Sequence, residues 1–238
     1  MYMAMMFTGT FVGLLAIFAV VQCQFFDALY TYVLDKAADT TIPVTESREP
    51  VNVSIGMSLI QLTSLDSKSG DAEIDVWMEF RWTDTRLSWD PTNFNDTRAI
   101  RLPASRIWNP DVVLYNGHTS NRETLTVVDS TGSVMCVPPT TIKTRCYVGS
   151  YKSDGSVICR LKFGSWVYDG FLLNVVTSLN EVDLSNYNSD GTEWELSEQK
   201  VERKVIYYPC CMEPYPDVSF TLTFKEKRSR NTLWNLFD

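Results

Sequence analysis

The chain has 238 residues, a net charge of −8 and a single histidine, His118. The acidic balance disfavours nucleic acid as a partner, and one histidine leaves neither a histidine-based catalytic triad nor a multi-histidine metal site. Carboxylates are plentiful, but strands and solvated faces account for them, so an enzyme is the least expected reading, and no cofactor or metal is expected.

The first segment, Met1 to about Val21, carries no charged residue. Its core, residues 11–21, reads as a secretory signal, with cleavage near Cys23; a membrane anchor is the alternative, although the run is short for a span and lacks a basic flank. The mature chain, residues 24–238, then has enough length for one sizeable core. No later run of spanning length follows, so the expectation is a secreted, extracellular protein without a transmembrane segment.

Residues 25–36 place Phe26, Leu29, Tyr30 and Val33 at helical spacing, one short amphipathic helix. Beyond it the period becomes two. Val51, Val53, Ile55, Met57 and Leu59 alternate, as do Ile74, Val76, Met78 and Phe80, and later Phe220, Leu222 and Phe224. Turn-forming stretches at 66–70, 129–132 and 189–191 separate the runs. Many short strands with regular turns imply an all-β antiparallel sandwich behind one N-terminal helix.

Two strands carry apolar residues on unexpected faces. Trp77 shares the face of Asp75, Glu79 and Arg81, opposite the apolar face of its strand; there it either caps an edge or meets something outside the domain. Met135 and Val137 alternate with Val134 and Cys136, so one of these pairs must face away from the core. Further aromatics sit in loops: Trp108-Asn109-Pro110-Asp111 leads to Tyr115, Trp166 follows Gly164-Ser165, and Tyr208 and Tyr215 flank two adjacent cysteines. Aromatic faces converging on one recess bind an organic cation, each ring contributing roughly 0.5–2 kcal/mol.

Six cysteines are present. With Cys23 removed, an oxidising compartment allows two pairs and one leftover. Cys146 and Cys159 flank a polar, glycine-containing loop that a disulfide would staple. Cys210 and Cys211 then pair with each other; a ring closed between neighbours removes little chain entropy, so its use lies in stiffening a loop tip. Cys136 is left as a buried thiol. Asn52-Val53-Ser54 and Asn95-Asp96-Thr97 are acceptor sequons for N-glycosylation.

Taken in order, Trp108-x-Pro110-Asp111-x-x-x-Tyr115, Ser165-Trp166-x-Tyr168 and Tyr208-x-Cys210-Cys211-x-x-x-Tyr215 resemble the three ligand-binding loops of the acetylcholine-binding proteins, soluble relatives of the extracellular domain of nicotinic, Cys-loop ligand-gated channels. The resemblance covers essentially all of the mature chain. It implies a sandwich of about ten strands assembled as a homopentamer, with acetylcholine or another cationic amine bound between subunits. It assigns Tyr115, Trp166, Tyr208, Cys210, Cys211 and Tyr215 to the principal face. Trp77, Val127, Met135 and Val137 fall to the complementary face supplied by the neighbour. Lys162 and Asp217, with Tyr208, match residues that position the closing loop. The channels carry an apolar segment between their paired cysteines; here the twelve residues from Tyr147 to Ile158 are polar, and the sequence stops at Asp238 without following spans, both as in the soluble proteins. The other readings are the extracellular domain of a channel subunit, or a secreted sandwich that stacks aromatics on sugars.

Overall fold

The computed structural model describes residues 27–43, 49–149, 155–177 and 179–227. The expected signal sequence, the start of the expected helix at Phe25 and Phe26, and the C-terminal end lie outside the described residues. Those described divide into two compact units, one drawn from residues 27–43, 83–109 and 125–134, the other from 49–82, 110–124 and 135–227.

The first unit contains helix α1 (residues 27–36), whose Leu29 and Val33 are fully buried four residues apart on one face. It also contains β3 (Ala99–Pro103), antiparallel to β6 (Leu125–Asp129). A tight turn follows β6. Asp129 accepts the amides of Thr131 and Ser133, and Gly132 adopts φ 86°, where a Cβ would strike the Asp84 carbonyl oxygen. Arg86 pairs with buried Asp84 at 2.7 Å and donates to Thr41 Oγ1 at 2.8 Å, tying the segment after α1 to the turn at residues 85–87.

The second unit is the sandwich. Its first sheet runs through β11 (Leu173–Thr177), β1 (Val51–Leu65), β2 (Asp71–Thr83), β8 (Pro139–Arg145) and β5 (Gly117–Asn121). Its second sheet orders β12 (Trp194–Tyr207), β13 (Pro214–Glu226), β10 (Val157–Ser165) and β4 (Val112–Leu114), with β9 (Tyr147–Val148) also on β10. One further strand, β7 (Ser133–Cys136), begins at the turn after β6.

The period-two runs are the buried faces. Val53, Ile55, Leu59, Ile74, Val76 and Met78 line the first sheet; Leu161, Phe163, Phe220, Leu222 and Phe224 line the second; all are essentially inaccessible. Two features differ from the expectation. Thirteen strands are present among the described residues rather than about ten, because three of the additions are only two to four residues long. The pairing of β1 with β11 is parallel, Val51 opposite Leu173 through Ile55 opposite Thr177; alternation along a strand carries no information about its neighbour's direction.

Candidate functional site

Burial resolves the two ambiguous strands. Val134 and Cys136 are the inward pair, Cys136 as a free buried thiol, while Met135 and Val137 remain partly exposed. Trp77 is 40% exposed although Val76 and Met78 beside it are buried. The structure joins Cys146 to Cys159 and Cys210 to Cys211.

Four segments distant in sequence build one recess of about 260 Å³, lined by Tyr115, Lys162, Ser165, Trp166, Tyr208, Tyr215 and Asp217. Strand pairing brings them together. β4 runs antiparallel to β10, with Leu114 opposite Phe163, so Tyr115 emerges beside Lys162. β13 lies on the other edge of β10, with Gly164 opposite Asp217, so Tyr215 and Asp217 arrive from that side. The turn between β12 and β13 carries Tyr208 and the paired cysteines, and Cys211 N donates to Tyr208 O at 3.1 Å.

The rings form a partial box. Tyr115 and Trp166 stand 6.3 Å apart between centroids at 60°, and Tyr208 and Tyr215 stand 5.4 Å apart in an edge-on arrangement. Trp166 is 73% exposed. A tryptophan that open on a well-hydrogen-bonded loop is placed to receive something, not to fill a core.

Asp111 fixes that loop. Its carboxylate accepts from Ser165 Oγ at 2.7 Å, Trp166 N at 3.1 Å and Val167 N at 2.6 Å, and Ser165 Oγ in turn accepts from Tyr168 N at 2.8 Å. Tyr115 Oη donates to the Ser165 carbonyl at 2.7 Å. Tyr115 is thus tied to the Ser165 carbonyl, one residue before the Trp166 amide that Asp111 holds. Burial, then the negative charge of Asp217, pushes the Tyr115 phenol up to about 12, so it stays a neutral donor. Asp217 is buried beneath the recess and pairs with Lys162 Nζ at 3.0 Å, while its Oδ1 has no hydrogen-bond partner in the protein.

Sequence reading passed over three contributors. Asp111 stood within a quoted motif without a role. Gly164 carries the Tyr115 ring directly on its α-carbon: an added Cβ would collide with Tyr115 Oη and its ring. Gly170 packs against Pro214 and donates to its carbonyl at 2.6 Å, linking the Trp166 loop to the base of the cysteine-bearing turn. The only signal for either glycine was its place in Gly164-Ser165-Trp166-Val167-Tyr168-Asp169-Gly170. Trp108, grouped in sequence with the loop aromatics, is instead buried.

The other assigned residues lie elsewhere. Trp77 lines a separate recess with Asp75, Ser120, Arg122, Pro139 and Thr141, so within one chain it does not meet Trp166. Val127 is partly exposed on β6 of the first unit, beside the well-exposed Leu125 two residues earlier on the same face. Among the described residues no cluster of three or more His, Cys, Asp or Glu could hold a metal ion. No helix among them is long and apolar enough to cross a membrane.

Residues 26–228 match the family described as the neurotransmitter-gated ion-channel ligand binding domain, a receptor domain and not an enzyme class. Among similar proteins, acetylcholine receptor subunit alpha-type acr-16 of Caenorhabditis elegans is 37% identical over 190 residues, 78% of this chain and 38% of that protein. Neuronal acetylcholine receptor subunit alpha-9 of Gallus gallus is 33% identical over 206 residues, 84% of this chain and 42% of that protein. Acetylcholine receptor subunit alpha-like 2 of Drosophila melanogaster is 33% identical over 200 residues, 78% and 34% respectively. The chain therefore spans well under half the length of these relatives.

Proposed function

Because the chain belongs to the family of neurotransmitter-gated ion-channel ligand-binding domains, we propose that it binds acetylcholine or related cationic amines, as a secreted protein, at sites completed by a second copy of itself. The observation that carries this reading is the convergence of Tyr115, Trp166, Tyr208 and Tyr215 on one recess floored by the buried carboxylate of Asp217. Electron-rich ring faces favour a desolvated ammonium, while the Asp217 charge is already matched by Lys162. The Trp166 carbonyl accepts a hydrogen bond from amines that carry a proton. The turn bearing Cys210 and Cys211 closes over the ligand and expels water, and no bond is made or broken.

Trp77, with Met135 and Val137, forms the neighbour's wall, which accounts for an exposed tryptophan on an otherwise polar strand face. Five copies close the ring. The loop from Tyr147 to Ile158 is polar, which favours a soluble protein over one whose loop packs against membrane spans; sequencing the full-length transcript tests that choice. In a secreted chain Asn52 and Asn95 are the glycan acceptors. Both are exposed, and Asn95 sits in a left-handed turn at φ 52°.

Calorimetry with a panel of quaternary amines tests the central claim. Saturable binding of acetylcholine with one site per chain is expected; no heat with any of them at millimolar concentration refutes it. Light scattering should give about five times the chain mass, and a monomer at micromolar concentration would remove the shared site.

A further inference from the structure

The edge of β10 that faces β4 is covered unevenly. β4 pairs with Phe163, Gly164 and Ser165, and β9 pairs with Val157 and Ile158. Between them, Cys159 to Lys162 pair with no strand on that side among the described residues. Tyr115 N donates to Lys162 O at 2.8 Å, one residue beyond the end of β4. The next residue then uses its side chain. Asn116 Nδ2 donates to Arg160 O at 2.6 Å, and Lys162 N donates to Asn116 Oδ1 at 3.0 Å.

A side-chain amide presents a donor and an acceptor in one plane, as a peptide unit does. Asn116 therefore replaces the peptide that β4 lacks and satisfies two backbone groups. Its own carbonyl accepts from Thr144 Oγ1 at 2.8 Å, on β8 of the opposite sheet. One residue thus joins the two sheets at the position next to Tyr115.

We propose that Asn116 is a positioning residue of the amine site. This rests on the function proposed above and adds a residue that contacts no ligand. Tyr115 precedes it in the chain and owes its place to the same ladder. Lys162, whose amide Asn116 holds, carries the ammonium that pairs with Asp217 and lies 5.6 Å from the Tyr115 ring centroid. Two walls of the recess thereby share one anchor. Only asparagine serves: aspartate has no donor for Arg160, alanine and serine cannot span both bonds, and glutamine adds a methylene.

The test compares the full chain with Asn116→Ala and Asn116→Asp, by amide-resolved hydrogen exchange without ligand and by calorimetry with tetramethylammonium. In Asn116→Ala the Lys162 and Tyr115 amides should exchange at least about tenfold faster while the Leu161 amide, on the residue opposite Phe220 of β13, keeps its protection; affinity should fall about tenfold. Asn116→Asp retains the acceptor, so Lys162 should stay protected while affinity falls at least about threefold, a separation that general loosening of the sheet does not produce. Unchanged Lys162 exchange in the alanine variant, or affinity within about twofold of the parent in either variant, overturns the proposal. Should the alanine variant not fold, the aspartate variant decides alone. If the parent chain binds neither tetramethylammonium nor acetylcholine, the amine reading fails, and the exchange measurements still decide whether Asn116 holds this frame.

Discussion

Lys162 Nζ and Asp217 Oδ2, 3.0 Å apart, join β10 to β13 beneath the aromatic recess, and the two partners differ sharply in access to water: the aspartate side chain is 4% exposed, the lysine 29%. That asymmetry makes their substitutions unequal. Lys162→Met leaves a carboxylate buried without compensation and should cost about 3 kcal/mol. Asp217→Asn leaves an ammonium that can turn toward solvent and should cost about 1 kcal/mol. Urea unfolding of both variants checks the order; equal losses would show that the pair is not the buried contact described.

The Tyr115 phenol gives a signature at high pH. Unfolded, a tyrosine ionises near 10; folded, this one holds its proton to about 12, through burial and then the charge of Asp217. The raised value means that the stabilisation is complete below about pH 10 and is lost as pH climbs through about 12. Tyr187, also raised by burial, acts in the same direction. Ultraviolet titration should show phenolate forming late at Tyr115. Tyr115→Phe should remove that late step and flatten the fall in stability over the same range.

Gly164→Ala places a methyl group against the Tyr115 ring. The ring must swing out, breaking its hydrogen bond to the Ser165 carbonyl. Binding of acetylcholine should weaken about tenfold with the fold intact by circular dichroism. In a double-mutant cycle with Tyr115→Ser the two changes should be strongly non-additive, because both act through one ring. Additive effects would place the Gly164 defect elsewhere.

Trp166→Ala should weaken quaternary-amine binding by at least about 2 kcal/mol, roughly thirtyfold, since indole is the strongest cation platform. Trp77→Ala should weaken it too, though the two tryptophans line different recesses of one chain. Rings assembled from a mixture of the two variants should regain a minority of full-affinity sites, wherever an intact Trp166 face meets an intact Trp77 face. Co-assembled rings without such sites would separate the two residues functionally.

Much of the fold is local and therefore readable along the chain. Val53, Ile55 and Leu59 alternate because a strand has a period of two, and the turns at 66–70 and 129–132 are built by their own aspartates and glycines. The binding motifs are local as well: Trp166 and Tyr168 lie on one turn, and Tyr208 and Tyr215 flank one pair of cysteines. Alternation stopped short at residues 134–137, where both faces are apolar and only packing shows that Val134 and Cys136 turn inward. It was equally silent on the parallel partnership of β1 and β11, which depends on a strand more than a hundred residues away.

By itself, then, the sequence determined strand faces, turn positions, cysteine spacing and the aromatic inventory, since each depends on neighbouring residues alone. Only the tertiary structure decided what those parts do together. The register of β10 between β4 and β13 sets Tyr115 against Gly164 and Lys162 against Asp217. It also turns Asn116 from an ordinary loop residue into the amide that completes the β10 edge. Register between distant strands follows from packing the whole sandwich at once, and no window of consecutive residues contains it.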